Sequence, residues 1–248
     1  MSMVALAMAL SLVGVSIVIS ANQRLVLEKE IMIGTIRAFI QLMAIGYVLK
    51  FIFDLRQWPY VLLMLAVMIT VAGINAAKRG KGIPHVFWLV TGSIAFGAAV
   101  TLGVLVGLRI IRFEPWFVIP IGGMIIGNAM VASGLVLNRI QSEIAARRQE
   151  IRAALALGAT ARQAVDPALK AAIKAGMLPT IDSMKVVGLV QLPGMMTGQI
   201  IAGASPLQAV RYQIMVAYML TAATAVTCVT LGLVVYRKFF TAHHQLLG

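Results

Sequence analysis

Seven stretches of about twenty mostly apolar residues recur along this chain, and no other feature narrows its possible folds so far. A helix crossing a bilayer needs about 20 such residues, because each rises about 1.5 Å through a hydrocarbon core about 30 Å thick. The stretches lie near 2 to 21, 34 to 53, 58 to 77, 86 to 108, 116 to 138, 183 to 204 and 209 to 235, the sixth being the least apolar. Of the 248 residues, 60% are hydrophobic and 12% charged, with a mean hydropathy of +0.94, whereas a soluble domain is about a quarter charged. The expected fold class is therefore all-α, a polytopic membrane protein of about seven transmembrane helices. The whole chain, 1 to 248, reads as one transmembrane domain with no soluble domain beside it.

A formal net charge of +13 would suggest a nucleic-acid partner in a soluble protein, so the placement of the charge decides its meaning. Alternate connections share a side of the membrane. One side holds Arg24, Lys29, Lys78, Arg79, Lys81, Arg139, Arg147, Arg148, Arg152, Arg162, Lys170, Lys174, Lys185, Arg237 and Lys238. The other holds Lys50, Arg56, Arg109, Arg112 and Arg211, with Arg37 left inside a span. This is a positive-inside bias. It predicts an N-terminus outside, a C-terminus in the cytoplasm, a multi-pass protein of the cell (inner) membrane with the bilayer as its partner, and no nucleic acid.

The first apolar stretch follows Met1 without the basic residues that normally precede a cleaved signal peptide, so it is expected to be a retained span. Cys228 is the only cysteine, which rules out an intrachain disulfide and any cysteine cluster for metal. His243 and His244 in the tail could sense a metal, although paired tail histidines are usually just solvated.

Small residues at every fourth position mark helix contacts in lipid, where backbones must approach closely. Ala95, Ala99, Gly103 and Gly107 form such a stripe, and Gly123 with Gly127 a shorter one; both are expected seams, within the chain or between copies. Asn128 is polar near mid-span and should make an interhelical hydrogen bond or face a pathway. Arg37, early in the second span with Gln41 above it, reads as snorkelling to the interface.

Between about 139 and 178 the chain is too charged to span. The helix of the fifth span should continue into it, with Ile140, Ile144, Ile151 and Leu155 on one face and Glu143 one turn before Arg147. Gly158 suits a left-handed end, and Thr160 with Gln163 forms a capping-box pattern. Asp166 then reads as a cap and Pro167 as the start of a third short helix, with a return to the membrane at Leu178 and Pro179. Such an elbow could dock a cytosolic partner or lie on anionic lipid.

The segment EIRAALALGATARQAVDPALKAAIKAGMLP, 150 to 179, resembles the EAA loop of ABC-transporter permeases, with Glu150, Ala153, Ala154 and Gly158 at the matching positions. RAFIQLMAIGYVLKFIF, IPIGGMIIGNAMVASGL, LPTIDSMKVVGLVQLPGMMTGQIIAG and RYQIMVAYML strongly resemble the FetB (YbbM) family of permeases, and the likeness covers nearly the whole chain. That family includes a bacterial iron-exporter subunit and plant relatives tied to aluminium tolerance. The resemblance implies a cytoplasmic helical coupling elbow, with Glu150, Ala153, Ala154, Gly158, Ala159, Thr160, Arg162 and Asp166 as ATPase-coupling residues. It also implies a separate, FetA-like cytosolic ATPase and a second copy of this chain. No GxxxxGK[ST] phosphate loop occurs, so the chain itself is expected to be no enzyme and to bind no cofactor; ATP and Mg²⁺ belong to the partner ATPase. Transport of iron or another metal, with export as its direction, comes from the resemblance. An ATP-independent metal or solute carrier or channel is the alternative, and a transmembrane signalling subunit is a third reading, disfavoured by the short outer loops.

LPTIDSMKVVGLVQLPGMMTGQII, 178 to 201, is apolar enough for lipid yet carries charges, amides, prolines and glycines. Irregular backbone survives at membrane depth only inside protein or along a cavity. Asn128, Asp182, Gln191, Pro193, Met195 and Gln199 are therefore the candidate translocation path. Asp182 and Lys185, one turn apart, form an interfacial ion pair or pass movement from the elbow into the span. If the helix survives Pro193, Met184, Gly188, Gln191, Met195, Gly198 and Ala202 share a stripe, and a kink there frees carbonyls. Carbonyl and amide oxygens suit hard cations and thioethers softer ones. With no His, Cys or deep carboxylate on the stripe, no tight metal site is expected and the metal ligands stay unassigned.

Overall fold

The computed structural model describes residues 3–55, 57–241 and 245–246. Arg56, His243 and His244 lie outside the described residues. The chain forms two compact units, Met1–Gln57 and Trp58–Gly248.

The first unit is a hairpin of α1 (Met3–Asn22) and α2 (Glu28–Leu55). Ser20, buried near the end of α1, fastens it: its hydroxyl donates to Glu28 Oε1 at 2.8 Å and accepts from the Leu27 backbone N–H at 3.1 Å. Glu28 also stands in the first turn of α2, where a carboxylate meets the positive end of the helix dipole. Arg37 and Gln41 are exposed on α2.

The second unit packs α3 (Trp58–Ala77), α4 (Val86–Gly107), α7 (Ala161–Val186) and α9 (Pro206–Val235) against a central helix, α5 (Pro115–Ala146). α6 (Arg148–Ala156) and α8 (Gly194–Ile201) are short. Val118, Ile125, Ala129, Val136, Leu137 and Ile140 of α5 are buried, so this helix supplies the core against which the others stack. Among the described residues, five helices are long and apolar enough to cross a membrane, and Leu10–Asn22 is a shorter apolar one. The all-α, polytopic expectation holds. The segment at 183 to 204 does not form one spanning helix: α7 ends at Val186 and α8 begins at Gly194. Eight helical residues rise about 12 Å, well short of the bilayer core.

Helix contacts run through small residues, though not the stripe expected on α4. Gly97 meets Thr227 of α9, Gly73 meets Thr91, and Gly122 approaches the Leu65 side chain, leaving no room for a Cβ. Gly103, Gly107 and Gly127 have no such neighbour, and Ala99 is exposed. The buried face of α4 is instead Val90, Ile94, Gly97, Ala98, Thr101 and Leu105. α4 carries small residues on more than one face, so four-residue spacing marks several possible seams; the shape of the partner helix chooses among them.

α7 also departs from expectation. Asp166 does not cap a helix and Pro167 does not start one; both lie inside a continuous helix that also runs through Pro179. An interior proline costs about 3 kcal/mol. Burial of Val165, Ala168, Leu169 and Ala172 against the bundle offsets that cost, and Asp166 bridges the turns on either side of Pro167 through Arg162 (2.9 Å) and Lys170 (2.6 Å). The chain thus has no separate helix lying between the elbow and the span: one helix leads from the elbow into the bundle. The expected extension of the fifth span bends once, at Arg147, which separates α5 from α6.

Candidate functional site

Two features stand out, and α7 joins them. At its N-terminal end is the elbow. Leu157 ends α6; Gly158 follows with φ +88°, a left-handed conformation that L side chains avoid. The Gly158 N–H donates to Leu155 O and the Ala159 N–H to Ala154 O, both at 3.0 Å, the paired bonds of a Schellman end. Thr160 then caps α7: its hydroxyl accepts from the Gln163 N–H at 3.3 Å, while the Gln163 side chain accepts from the Thr160 N–H at 2.9 Å. Both termini in the turn are satisfied locally, so the elbow is a rigid reversal.

Charge reinforces it. Arg147, at the bend, meets Glu143 at 2.8 Å and Glu150 at 3.5 Å, and the Glu143 hydrogen bond pushes its guanidinium pKa up. Lys170 and then Arg162 hold the Asp166 carboxyl below its ordinary range. Arg162 also lies 5.7 Å from the centre of the Tyr236 ring, tying the start of α7 to the end of α9. Ile151 is buried, whereas Glu150, Ala153, Gly158 and Thr160 are exposed and Ala154, Ala159, Arg162 and Asp166 half-buried. Leu157, 90% exposed, is an apolar side chain at the tip of the turn.

At the other end of α7 the helix breaks. Val187 leaves helical geometry, Gly188 turns with φ +84°, and its N–H donates to Gln191 O at 2.9 Å to close a small loop. Leu189 and Val190 stand 89% and 84% exposed at its tip. Pro193 caps α8, where its fixed φ of −66° and missing N–H fit the position, and the Thr197 hydroxyl donates to its carbonyl at 3.1 Å. The helix was expected to kink at Pro193; it has already ended seven residues earlier, because the left-handed Gly188 stops it.

Beside the break, α5, α7 and α9 border a half-open cavity of about 330 Å³, with the segment at 191 to 195 along its edge. Asn128, Gln191, Pro193 and Met195 of the expected path line it, together with Met184 of the expected stripe. Asp182 and Gln199 do not. Asp182 is exposed and makes the expected ion pair with Lys185 at 2.9 Å, and Gln199 is half-buried on α8. Among the described residues Asn128 makes no interhelical hydrogen bond: its Nδ2 donates to Met124 O, one turn back in α5, at 2.9 Å. Thr180, Ser183 and Gln213 also line the cavity and were missed. Gln213 was findable, being an amide that follows Gln208 and Arg211 just where α9 turns apolar, a weaker form of the signal that marked Asn128. Thr180, whose hydroxyl lies 3.4 Å from that of Thr224, carries no such mark. Among the described residues no three of His, Cys, Asp and Glu gather where a metal could sit.

The uncharacterised protein family UPF0014 matches residues 3–240. The chain belongs to this family. The UPF0014 membrane protein YjkA of Bacillus subtilis (strain 168) is 44% identical over 246 residues, 99% of this chain and 98% of that one. The probable iron export permease protein FetB of Escherichia coli (strain K12) is 45% identical over 242 residues, 98% and 93% of the two chains. Protein ALUMINUM SENSITIVE 3 of Arabidopsis thaliana is 39% identical over 244 residues, 98% of this chain and 89% of the relative. No solved structure matches. The full-length resemblance read from the sequence therefore stands, and this UPF0014 member is a multi-pass membrane protein.

Proposed function

We propose that the chain is the membrane subunit of an ATP-driven (ABC) transporter that exports iron or another metal ion, paired with a second copy of itself and with a separate cytosolic ATPase. The observation that carries this reading is α7. One helix starts at a rigid, locally capped turn and ends at a cavity beside a broken backbone. A push on the turn is thereby delivered to the cavity wall, since a helix packed on two others moves as a body. The name of the FetB relative, a probable iron export permease protein, supports iron as cargo and export as direction. The absence of a phosphate loop from the sequence supports a borrowed engine, with ATP and Mg²⁺ held by the partner.

In this mechanism the ATPase grips the turn at Glu150, Ala153, Ala154, Gly158, Ala159 and Thr160, and Arg162 and Asp166 stiffen the start of α7. The single permease domain crosses the inner membrane seven times, the interrupted stretch at α7 and α8 completing the count, with the N-terminus outside and the elbow and C-terminus in the cytoplasm. Asn128, Gln191, Pro193 and Met195 belong to the path, whereas Asp182 stays at its entrance and Gln199 lies off the cavity.

The test is reconstitution of the chain with its cognate ATPase in liposomes. ATPase stimulation by the chain, with ATP-dependent movement of iron out of the ATPase-bearing side, is expected. Iron movement without any bound ATPase would instead favour an ATP-independent carrier or channel.

A further inference from the structure

None of the described residues lining the cavity carries a charge. Its polar side chains are the carboxamides of Asn128, Gln191 and Gln213 and the hydroxyls of Thr180 and Ser183. Asn128 spends an amide hydrogen on its own helix, which leaves its oxygen as an acceptor. Gln213 Oε1 is buried without a hydrogen-bond partner. An orphaned carbonyl of this kind is costly unless something supplies a donor.

A bare divalent cation fits this wall poorly. First-row divalent ions take oxygen or nitrogen ligands in a tight shell, and a charge brought into a low-dielectric site needs a counter-charge close by. The cavity offers neither a carboxylate nor an imidazole, and about 330 Å³ is far more space than an ion occupies. It lies instead at the lower end of the ~300–1,000 Å³ typical of small-molecule pockets. The thioethers of Met124, Met184 and Met195 carry no charge, so they do not supply the counter-charge that a bare cation needs here.

We propose that this cavity takes an uncharged molecule bearing hydroxyl or amide donors, so that any iron carried here travels inside a charge-neutral chelate and not as the bare ion. The proposal rests on the transport reading for the role of the cavity and deepens it by naming the ligand class. The Asn128 side-chain oxygen accepts from the ligand, the Gln213 carboxamide joins it by turning its sealed oxygen toward the cavity, and Ser183 and Gln191 complete the polar wall.

The test is a binding measurement on the full chain alone in lipid nanodiscs, so that failure of ATPase coupling leaves it unaffected. Three probes are dialysed against the nanodiscs: Fe²⁺, the neutral hydroxyl-bearing complex tris(kojato)iron(III), and metal-free kojic acid in its uncharged form. Saturable retention of either neutral probe in preference to Fe²⁺ is expected; retention of the complex points to a carried chelate and of kojic acid alone to an organic solute. Gln213→Leu should weaken that retention about tenfold. Gln213→Glu, which keeps the shape and adds the missing charge, should shift preference toward Fe²⁺. Retention of Fe²⁺ equal to or above the neutral probes in the unaltered chain overturns the proposal, as does retention of none of the three. If both Gln213 variants bind as the unaltered chain does, the ligand is not in this cavity and the proposal also falls.

Discussion

Gly176 of α7 passes so close to α9 that a Cβ placed on it would stand 2.8 Å from Cys228 Sγ, and 3.0 Å from the backbone oxygen of Ala132 in α5. The three helices that wall the cavity therefore meet at a point where only a hydrogen fits. Backbone cannot yield as a flexible side chain can. Gly176→Val is expected to destabilise the protein by about 1–3 kcal/mol or more, the range for overpacking. Gly198→Ala, in α8 with no neighbour within 4 Å of its would-be Cβ, should be neutral or stabilising by about 0.5–1 kcal/mol. Thermal unfolding in detergent separates the two: a lowered Tm for Gly198→Ala matching that of Gly176→Val would contradict the close-contact argument.

The left-handed turn at Gly158 has open space around it, so its constraint is conformational and not steric crowding. A β-branched residue there pays about 1–2 kcal/mol to keep the turn or else unwinds it. On the transport reading, Gly158→Val should reduce stimulation of the proposed partner ATPase while leaving the membrane bundle folded. The paired measurement is ATPase activity against Tm; full stimulation by the variant would remove the elbow from the coupling path.

Thr160→Ala removes the side-chain acceptor for the Gln163 N–H and breaks the capping box. Loss of such a cap typically costs about 0.5–2 kcal/mol. Hydrogen exchange in the first turn of α7 should rise in this variant, with exchange in the buried part of α7 around Ala172 unchanged. Equal protection in both proteins would show that the cap does not hold the turn.

Asp166 carries a pH signature. Its carboxyl is held below the ordinary value of 3.8, first by its hydrogen bond from Lys170. A group lowered in the folded state contributes stability that is present above its unfolded pKa and lost as pH falls through the folded one. Acid unfolding of the unaltered chain should therefore steepen below the ordinary Asp range, and Asp166→Asn should flatten that part of the curve. High salt should shrink the difference, because the group is partly exposed.

Orientation is testable through cysteine chemistry, since the single native cysteine, Cys228, is buried. Leu157→Cys, at an exposed position on the elbow, should react with a membrane-impermeant maleimide only in vesicles that present the cytoplasmic face. Labelling from the outside of intact cells would reverse the proposed topology.

The elbow was legible because its determinants are local. Gly158, Thr160 and Gln163 close their hydrogen bonds within a few residues, so spacing along the chain contains the whole motif. Pro167 and Pro179 misled for the complementary reason: local rules make them helix boundaries, and only the burial of Val165 and Leu169 and the two ion pairs of Asp166 outweigh that preference. The cavity was half legible. Asn128, Gln191, Pro193 and Met195 announce themselves as oddities in apolar runs, but Thr180, Ser183 and Gln213 become a site only when α5, α7 and α9 are brought together.

By itself, then, the sequence determined an all-helical membrane protein, its apolar stretches, the asymmetry of its charges, its elbow and its family, because hydropathy, propensity and capping are properties of neighbours along the chain. Tertiary structure decided which face of α4 is buried, that α7 runs unbroken from the elbow to the cavity and stops at Gly188, and which polar residues share a wall. These depend on how helices distant in sequence fit one another, and in an apolar medium that fit is set by close packing, which periodicity alone does not encode.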